Sequence, residues 1–182
     1  GTTAPSTTLI IGQSNANLAS FNLTASNDGE VKVTTFKVKR TGISADSALS
    51  AVYLYEGDIR LTDSASVSSG YVTWNNASGI ITIPAGTTKT ITVKADMAGT
   101  AGETIGVSVN AAADIVTNGA AVSGSFPASG NAMSIASATL GSIALGTALP
   151  TRATPVVAGT ADAGETDYSL WKNTVTVGTR YV

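Results

Sequence analysis

The side chains able to do acid–base or ligand chemistry in this chain fall between its apolar runs. Asp28 with Glu30 and Glu56 with Asp58 form two close carboxylate pairs, Asp46 and Asp63 stand singly, and Asp162, Glu165 and Asp167 make a later acidic group. Calcium takes about six to eight oxygens from carboxylates and loop carbonyls. Neither the spacing of an EF-hand loop nor an Asp-rich nonapeptide is present, so Asp28, Glu30, Glu56 and Asp58 are weak calcium candidates and solvated turn residues are the preferred reading. Hydrolysis of a glycoside needs two carboxylates flanking a cleft, whereas Glu56 and Asp58 straddle an expected hairpin tip. The chain has no histidine and no cysteine. That removes imidazole-assisted nucleophiles, thiol chemistry and ordinary zinc sites, and leaves a serine nucleophile only lysine as its base. No catalytic residue is assigned, and no enzyme is expected.

Composition narrows the class further. Of 182 residues 43% are hydrophobic, enough for a core, while only 12% are charged and the net charge is −2. That charged share is about half the globular average, and it argues against nucleic acid, which requires a dense basic surface. No run reaches the roughly 20 apolar residues that span a bilayer. Thr and Ser supply the polarity, as in secreted β-proteins, so an extracellular, cell-surface setting in a prokaryote is expected. Gly1 to Pro5 does not read as a signal peptide, and the chain reads as a mature product or an excised segment. Two N-x-S/T sequons, at Asn22 and Asn76, are glycosylation candidates.

The elements that position these groups read as short strands with two-residue alternation. They are expected over 8–11, 18–25, 31–40, 51–56, 59–62, 67–74, 79–83, 88–95, 104–111, 122–126 and 132–136. Gly, Asn, Asp and Ser clusters separate them, and the order predicts an all-β, antiparallel β-sandwich. Within 31–40 the apolar positions shift from Val31 and Val33 to Phe36 and Val38, which calls for a β-bulge near Thr34 and Thr35. Gly57-Asp58 predicts a tight hairpin.

Tyr53 and Tyr55 share one strand face and are candidates for surface aromatic contact, including sugar stacking. Tyr71 and Trp74 face opposite ways, which sends Trp74 to the core beside Val72. Lys32, Lys37, Lys39 and Arg40 lie on one strand without interleaved aromatics, the pattern of an edge guarded against aggregation. A Lys–Asn isopeptide link would require a buried lysine.

From about Thr139 the chain reads as a new unit. Pro155-Val156-Val157-Ala158-Gly159 echoes Thr8-Leu9-Ile10-Ile11-Gly12, and in both places a polar loop and a longer strand follow (18–25 and 168–177), as if a second repeat were opening. The stretches Leu49 to Gly57 (LSAVYLYEG) and Ile83 to Asp96 (IPAGTTKTITVKAD) resemble tandem Ig-like repeats of prokaryotic cell-surface and S-layer-like proteins. The resemblance implies an Ig-like sandwich in an extracellular array, stalk or filament. We therefore expect residues 1–137 to form an Ig-like β-sandwich and 138–182 a partial second β repeat or strand-exchange segment. In the leading functional expectation, subunits assemble head-to-tail into a filament or surface layer by β-strand addition. Leu170, Trp171, Val175 and Val177 are the exchange candidates, and other copies of the chain are the partners. The alternative is a monomeric adhesin or carbohydrate-binding module, with glycans as partners.

Overall fold

Between Thr88 and Met97 the chain keeps strict alternation: Ile91, Val93, Ala95 and Met97 are buried, and the residues between them reach the surface. Only an extended strand with one wet face sustains that pattern. The computed structural model describes residues 6–138, and beyond them the backbone of two short strands. The chain divides into two units, Gly1–Ala138 and Thr139–Val182. The first contains β1 (Thr8–Ile10), β2 (Ala16–Thr24), β3 (Val31–Thr41), β4 (Leu49–Glu56), β5 (Ile59–Arg60) and β6 (Tyr71–Asn75). There follow β7 (Ile81–Ile83), β8 (Thr88–Met97), β9 (Thr104–Val109), β10 (Ile115–Thr117), β11 (Ala128–Ser129) and β12 (Met133–Ala136). The second unit contributes β13 (Ile143–Leu145) and β14 (Val175–Val177), paired antiparallel.

The first unit is an all-β sandwich. Its smaller sheet runs β2-β8-β4-β5. In the larger sheet β3 is central. Lys39 pairs with both Ser108 and Tyr71, Thr35 with both Val116 and Asn75, and Val33 with both Thr117 and Ile81. β9 and β10 therefore lie along one side of β3, and β6 and β7 along the other. β11 and β12 pair with β9, and β1 runs parallel to β12 at the sheet end. Phe36, Val38, Val52, Leu54, Val72, Ile91, Val93 and Ile105 are fully buried between the sheets. The rings of Phe21 and Phe36 meet across the interface with centroids 6.2 Å apart.

Several expectations hold in detail. The bulge sits at Thr34: Val116 pairs with Thr35 and Thr117 with Val33, so Thr34 is the extra residue. Glu56 pairs with Ile59 around Gly57-Asp58, with Gly57 at φ +60°, the first central position that a type II′ turn reserves for glycine. Trp74 is buried beside Val72.

Others need correction. The expected strand 67–74 begins only at Tyr71, because Ser69 (φ +52°) and Gly70 (φ +79°) reverse the chain between Ser68 and Tyr71. Residues 122–126 are irregular: Val122 and Phe126 pack on the core four residues apart, not at the two-residue spacing of a strand. β10 and β11, three and two residues long, carry too little periodicity to be read from sequence. The lysine-bearing strand β3 is central, not an edge. Lys37 and Lys39 lie on its outward face, where Lys37 Nζ stands 4.1 Å above the Tyr71 ring and 3.8 Å from Asp114, while Arg40 alternates with them. The aromatic interleaving missing along the strand comes from its neighbour.

A polar clasp ties three elements together at one end. Arg40 Nε donates to Asp46 Oδ1 at 2.8 Å, the Gly70 amide donates to Asp46 Oδ2 at 2.9 Å, and the Arg40 amide donates to the Gly70 carbonyl at 2.7 Å. The hydrogen bonds from Arg40 and then Gly70 hold the Asp46 carboxyl below its ordinary value of 3.8. A carboxyl lowered on folding stabilises fully above its unfolded pKa, and the effect is lost as pH falls through the folded value. Asp46→Asn is expected to lower the melting temperature at neutral pH, and the gap should close below about pH 4. A gap constant with pH would show that the carboxylate charge is not the clasp. Phe36→Ala, which empties a fully buried site, is expected to cost about 3–5 kcal/mol in urea titration.

Candidate functional site

The two sheets leave a seam along β2. This strand ends the smaller sheet: β8 pairs one side, and among the described residues no strand pairs the other. Leu18, Ala19 and Phe21 point into the core, while Ser20 and Thr24 face outward and bond to Thr92 (2.9 Å) and Thr88 (2.7 Å). Near the start of β2 the seam is tight, since a Cβ on Gly130 would lie 2.6 Å from that of Ala19. Toward its end the seam opens into a cleft of about 750 Å³ between Phe21 to Ala25 and the β10 side, spanned by the irregular segment with Val122 and Phe126. Asp28 and Glu30 stand at its rim. One signal for this feature is legible in the chain: a strand-like run at 122–126 that finds no ladder among the described residues.

The opposite seam holds a groove of about 330 Å³ lined by Leu61 to Ala65, Thr73 to Asn76 and Ile80. At its wall Trp74 is buried, and its Nε1–H has no partner among the described residues.

Tyr53 and Tyr55 stand together on the outer face of the smaller sheet, their rings edge-to-face at 6.5 Å. Both hydroxyls are engaged: Tyr53 donates to Asp96 Oδ2 at 3.0 Å and Tyr55 to Asn15 Oδ1 at 3.1 Å, while the Asn15 amide donates to Asp96 Oδ1. Arg60 lies 5.2 Å from the Tyr53 ring and Lys94 Nζ 4.3 Å from that of Tyr55. The result is a cross-linked polar–aromatic patch, without the flat stacking platform a sugar ring favours. Its cations and Asp96 come from neighbouring strands, so the sequence shows the tyrosine pair and hides the network.

The acidic candidates do not converge. Asp28 accepts from Ser26 Oγ at 3.0 Å, Glu30 lies 3.6 Å from Lys32 Nζ, Glu56 binds Lys89 at 2.8 Å and Asp58 is exposed at the hairpin tip. Among the described residues no three acidic, His or Cys groups are placed to hold a metal ion. Asn22 is exposed on β2, its Oδ1 accepting from Thr90 Oγ1 at 2.8 Å, and Asn76 lies in an exposed turn where its Oδ1 accepts the Ser78 amide at 3.0 Å. No described lysine is buried, so none meets the condition for an isopeptide link. Leu170, Trp171, Asp162, Glu165 and Asp167 lie outside the described residues. Val175 and Val177 lie in β14, paired with Leu145 and Ile143.

Compared with known protein families, with curated proteins and with solved structures, the chain finds no match. Among the described residues no helix is long and apolar enough to cross a membrane.

The patch has a measurable signature. The bond from the Tyr53 hydroxyl to Asp96, helped by partial desolvation and the carboxylate charge and opposed by Arg60, raises the Tyr53 pKa above its ordinary 10.0. Alkaline titration followed by ultraviolet absorbance is expected to show a late-ionising tyrosine that disappears in Tyr53→Phe and shifts earlier in Asp96→Asn. An unchanged titration in both variants would remove the coupling.

Proposed function

We propose that this chain is a non-enzymatic structural subunit of an extracellular filament or surface layer of a prokaryote, built from Ig-like repeats and joined head-to-tail by β-strand addition. The observation that carries the proposal is the uncharged edge of β2, which among the described residues no strand pairs over its second half. Proteins blunt free edges by keeping them short, interrupting them or charging them. β1 has three residues; β5 has two, one of them Arg60; and β6 and β7 are separated by residues 76–80. β2 runs nine residues without a charge or a proline, and past a bulge at Leu18 it keeps a regular register over Ala19–Thr24. An added strand gains backbone hydrogen bonds, and each aliphatic side chain it buries contributes roughly 1.5–3 kcal/mol. The low charge of the chain suits a protein that packs against its own copies.

The second reading, a monomeric adhesin or carbohydrate-binding module, is favoured by the half-exposed Tyr53–Tyr55 patch. The edge-to-face rings and the engaged hydroxyls make it the weaker one. Negative-stain electron microscopy of the full chain beside the chain ending at Ala138 separates them. Filaments or sheets from the full chain alone are expected. Single particles from both would favour the binding module.

A further inference from the structure

We infer that Asn76 is a glycan attachment site and that Asn22, the other N-x-S/T asparagine, is not. The inference rests on the extracellular setting proposed above and is independent of how subunits assemble.

By sequence the two sequons are equal acceptors; the fold separates them. Asn76, Ala77 and Ser78 fill the break between β6 and β7, and all three are exposed. The backbone there closes a turn: the Gly79 amide donates to the Asn76 carbonyl at 2.9 Å, and Gly79 takes φ +102°. Within the turn the Ser78 amide donates to Asn76 Oδ1 at 3.0 Å, the bond of an asparagine side chain to its own backbone two residues on. This bond engages the oxygen of the side-chain amide and leaves the nitrogen, the atom that carries a sugar. Among the described residues neither Asn76 Nδ2 nor the Ser78 hydroxyl makes a hydrogen bond. The Asn76 backbone amide donates to the Thr34 carbonyl at 2.8 Å, which fixes the turn to β3.

Asn22 is the opposite case. It lies inside β2, opposite Thr90 of β8. Its Oδ1 accepts from Thr90 Oγ1 at 2.8 Å, and the Thr24 hydroxyl of the same sequon is bonded to that of Thr88 at 2.7 Å. Both sequon side chains are thus committed to the β2–β8 ladder, and a strand cannot fold the Asn22 side chain onto the amide two residues on.

The donor this chemistry calls for is an oligosaccharide joined through phosphate to a membrane lipid. Asn76 Nδ2 attacks the anomeric carbon, a C–N bond forms and the C–O bond to phosphate breaks. The lipid phosphate leaves with the electron pair, and the amide nitrogen gives up one proton. An attached glycan is bulky and solubilising. At Asn76 it stands at the groove lined by Leu61 to Ala65 and Thr73 to Asn76, and adds polar surface to a chain with only 12% charged residues. The edge of β2 stays bare, as strand addition there requires.

The test is peptide mapping of the chain purified from the organism that produces it. Trypsin cleavage after Lys32, Arg60 and Lys89 puts the sequons on separate peptides, one ending at Lys32 and one spanning 61–89. Tandem mass spectrometry is expected to find sugar fragment ions on 61–89 and none on the peptide ending at Lys32. The ions should vanish in Asn76→Gln and Ser78→Ala and persist in Ser78→Thr and Asn22→Gln. The two conservative variants guard against loss through misfolding. An unmodified 61–89 peptide, or sugar on the peptide ending at Lys32, would overturn the inference. Sugar on 61–89 that survives Ser78→Ala would place it outside the sequon, with the same consequence. Filaments built from unmodified chains would overturn the glycan site and leave the assembly reading standing, whereas modified chains that stay single would do the reverse.

Discussion

The larger sheet takes its registers from β3, and β3 must satisfy neighbours on both sides at once. A strand so placed can change which of its residues face the core only by inserting one, because its side chains alternate without exception. Thr34 is that insertion. Around it both flanking strands break: β6 hands over to β7 across residues 76–80, and β9 to β10 across the turn at Ala112–Asp114. The breaks are held by local bonds. The Asn76 amide donates to the Thr34 carbonyl, and Asp114 Oδ2 accepts from the amides of Asn110 and Ala111. One extra residue in β3 thus accompanies two excursions beside it, and with them the position of β10 against the seam.

With no disulfide to restrict the unfolded chain, order in this sandwich comes from core packing and from the ladders themselves. The outer face of β2 and β8 shows how a weakly charged surface can still be specific. Ser20 with Thr92, Asn22 with Thr90 and Thr24 with Thr88 make three successive cross-strand hydroxyl or amide bonds. Such pairs each add a few tenths of a kcal/mol and fix register. The Thr and Ser content read from composition as surface polarity is therefore also a register device, and it leaves few charges to repel another copy.

The features legible in the sequence were those encoded by neighbours along the chain. The alternation of Thr88–Met97, the shift between Val33 and Phe36, the Gly57-Asp58 turn and the inward face of Trp74 all follow from spacing within one strand. What stayed hidden depends on which strand lies alongside. The lysines of β3 suggested an edge because nothing in 31–40 reveals that β6 and β9 flank them. Asp46 gave no sign of its role because its partners, Arg40 and Gly70, meet only when β3, β4 and β6 converge. The reversal at Ser69-Gly70 was missed because the apolar alternation on either side outweighed a single Ser-Gly turn signal.

The position of the unguarded edge bears on the kind of assembly that can follow. Under the proposed strand addition, donor and acceptor lie in different parts of the chain, the donor in the second unit and β2 in the first. Pairing one with the other across copies is heterologous. Each such junction would leave a fresh β2 edge at one end and a fresh donor strand at the other, so growth would continue unless the rotation between copies closed a ring. Pairing β2 with β2 would instead be isologous and would stop at two. Under the proposed strand addition the cleft beside β2 favours the heterologous arrangement, because Val122 and Phe126 already cover the apolar floor and what an added strand supplies is a partner for the backbone edge.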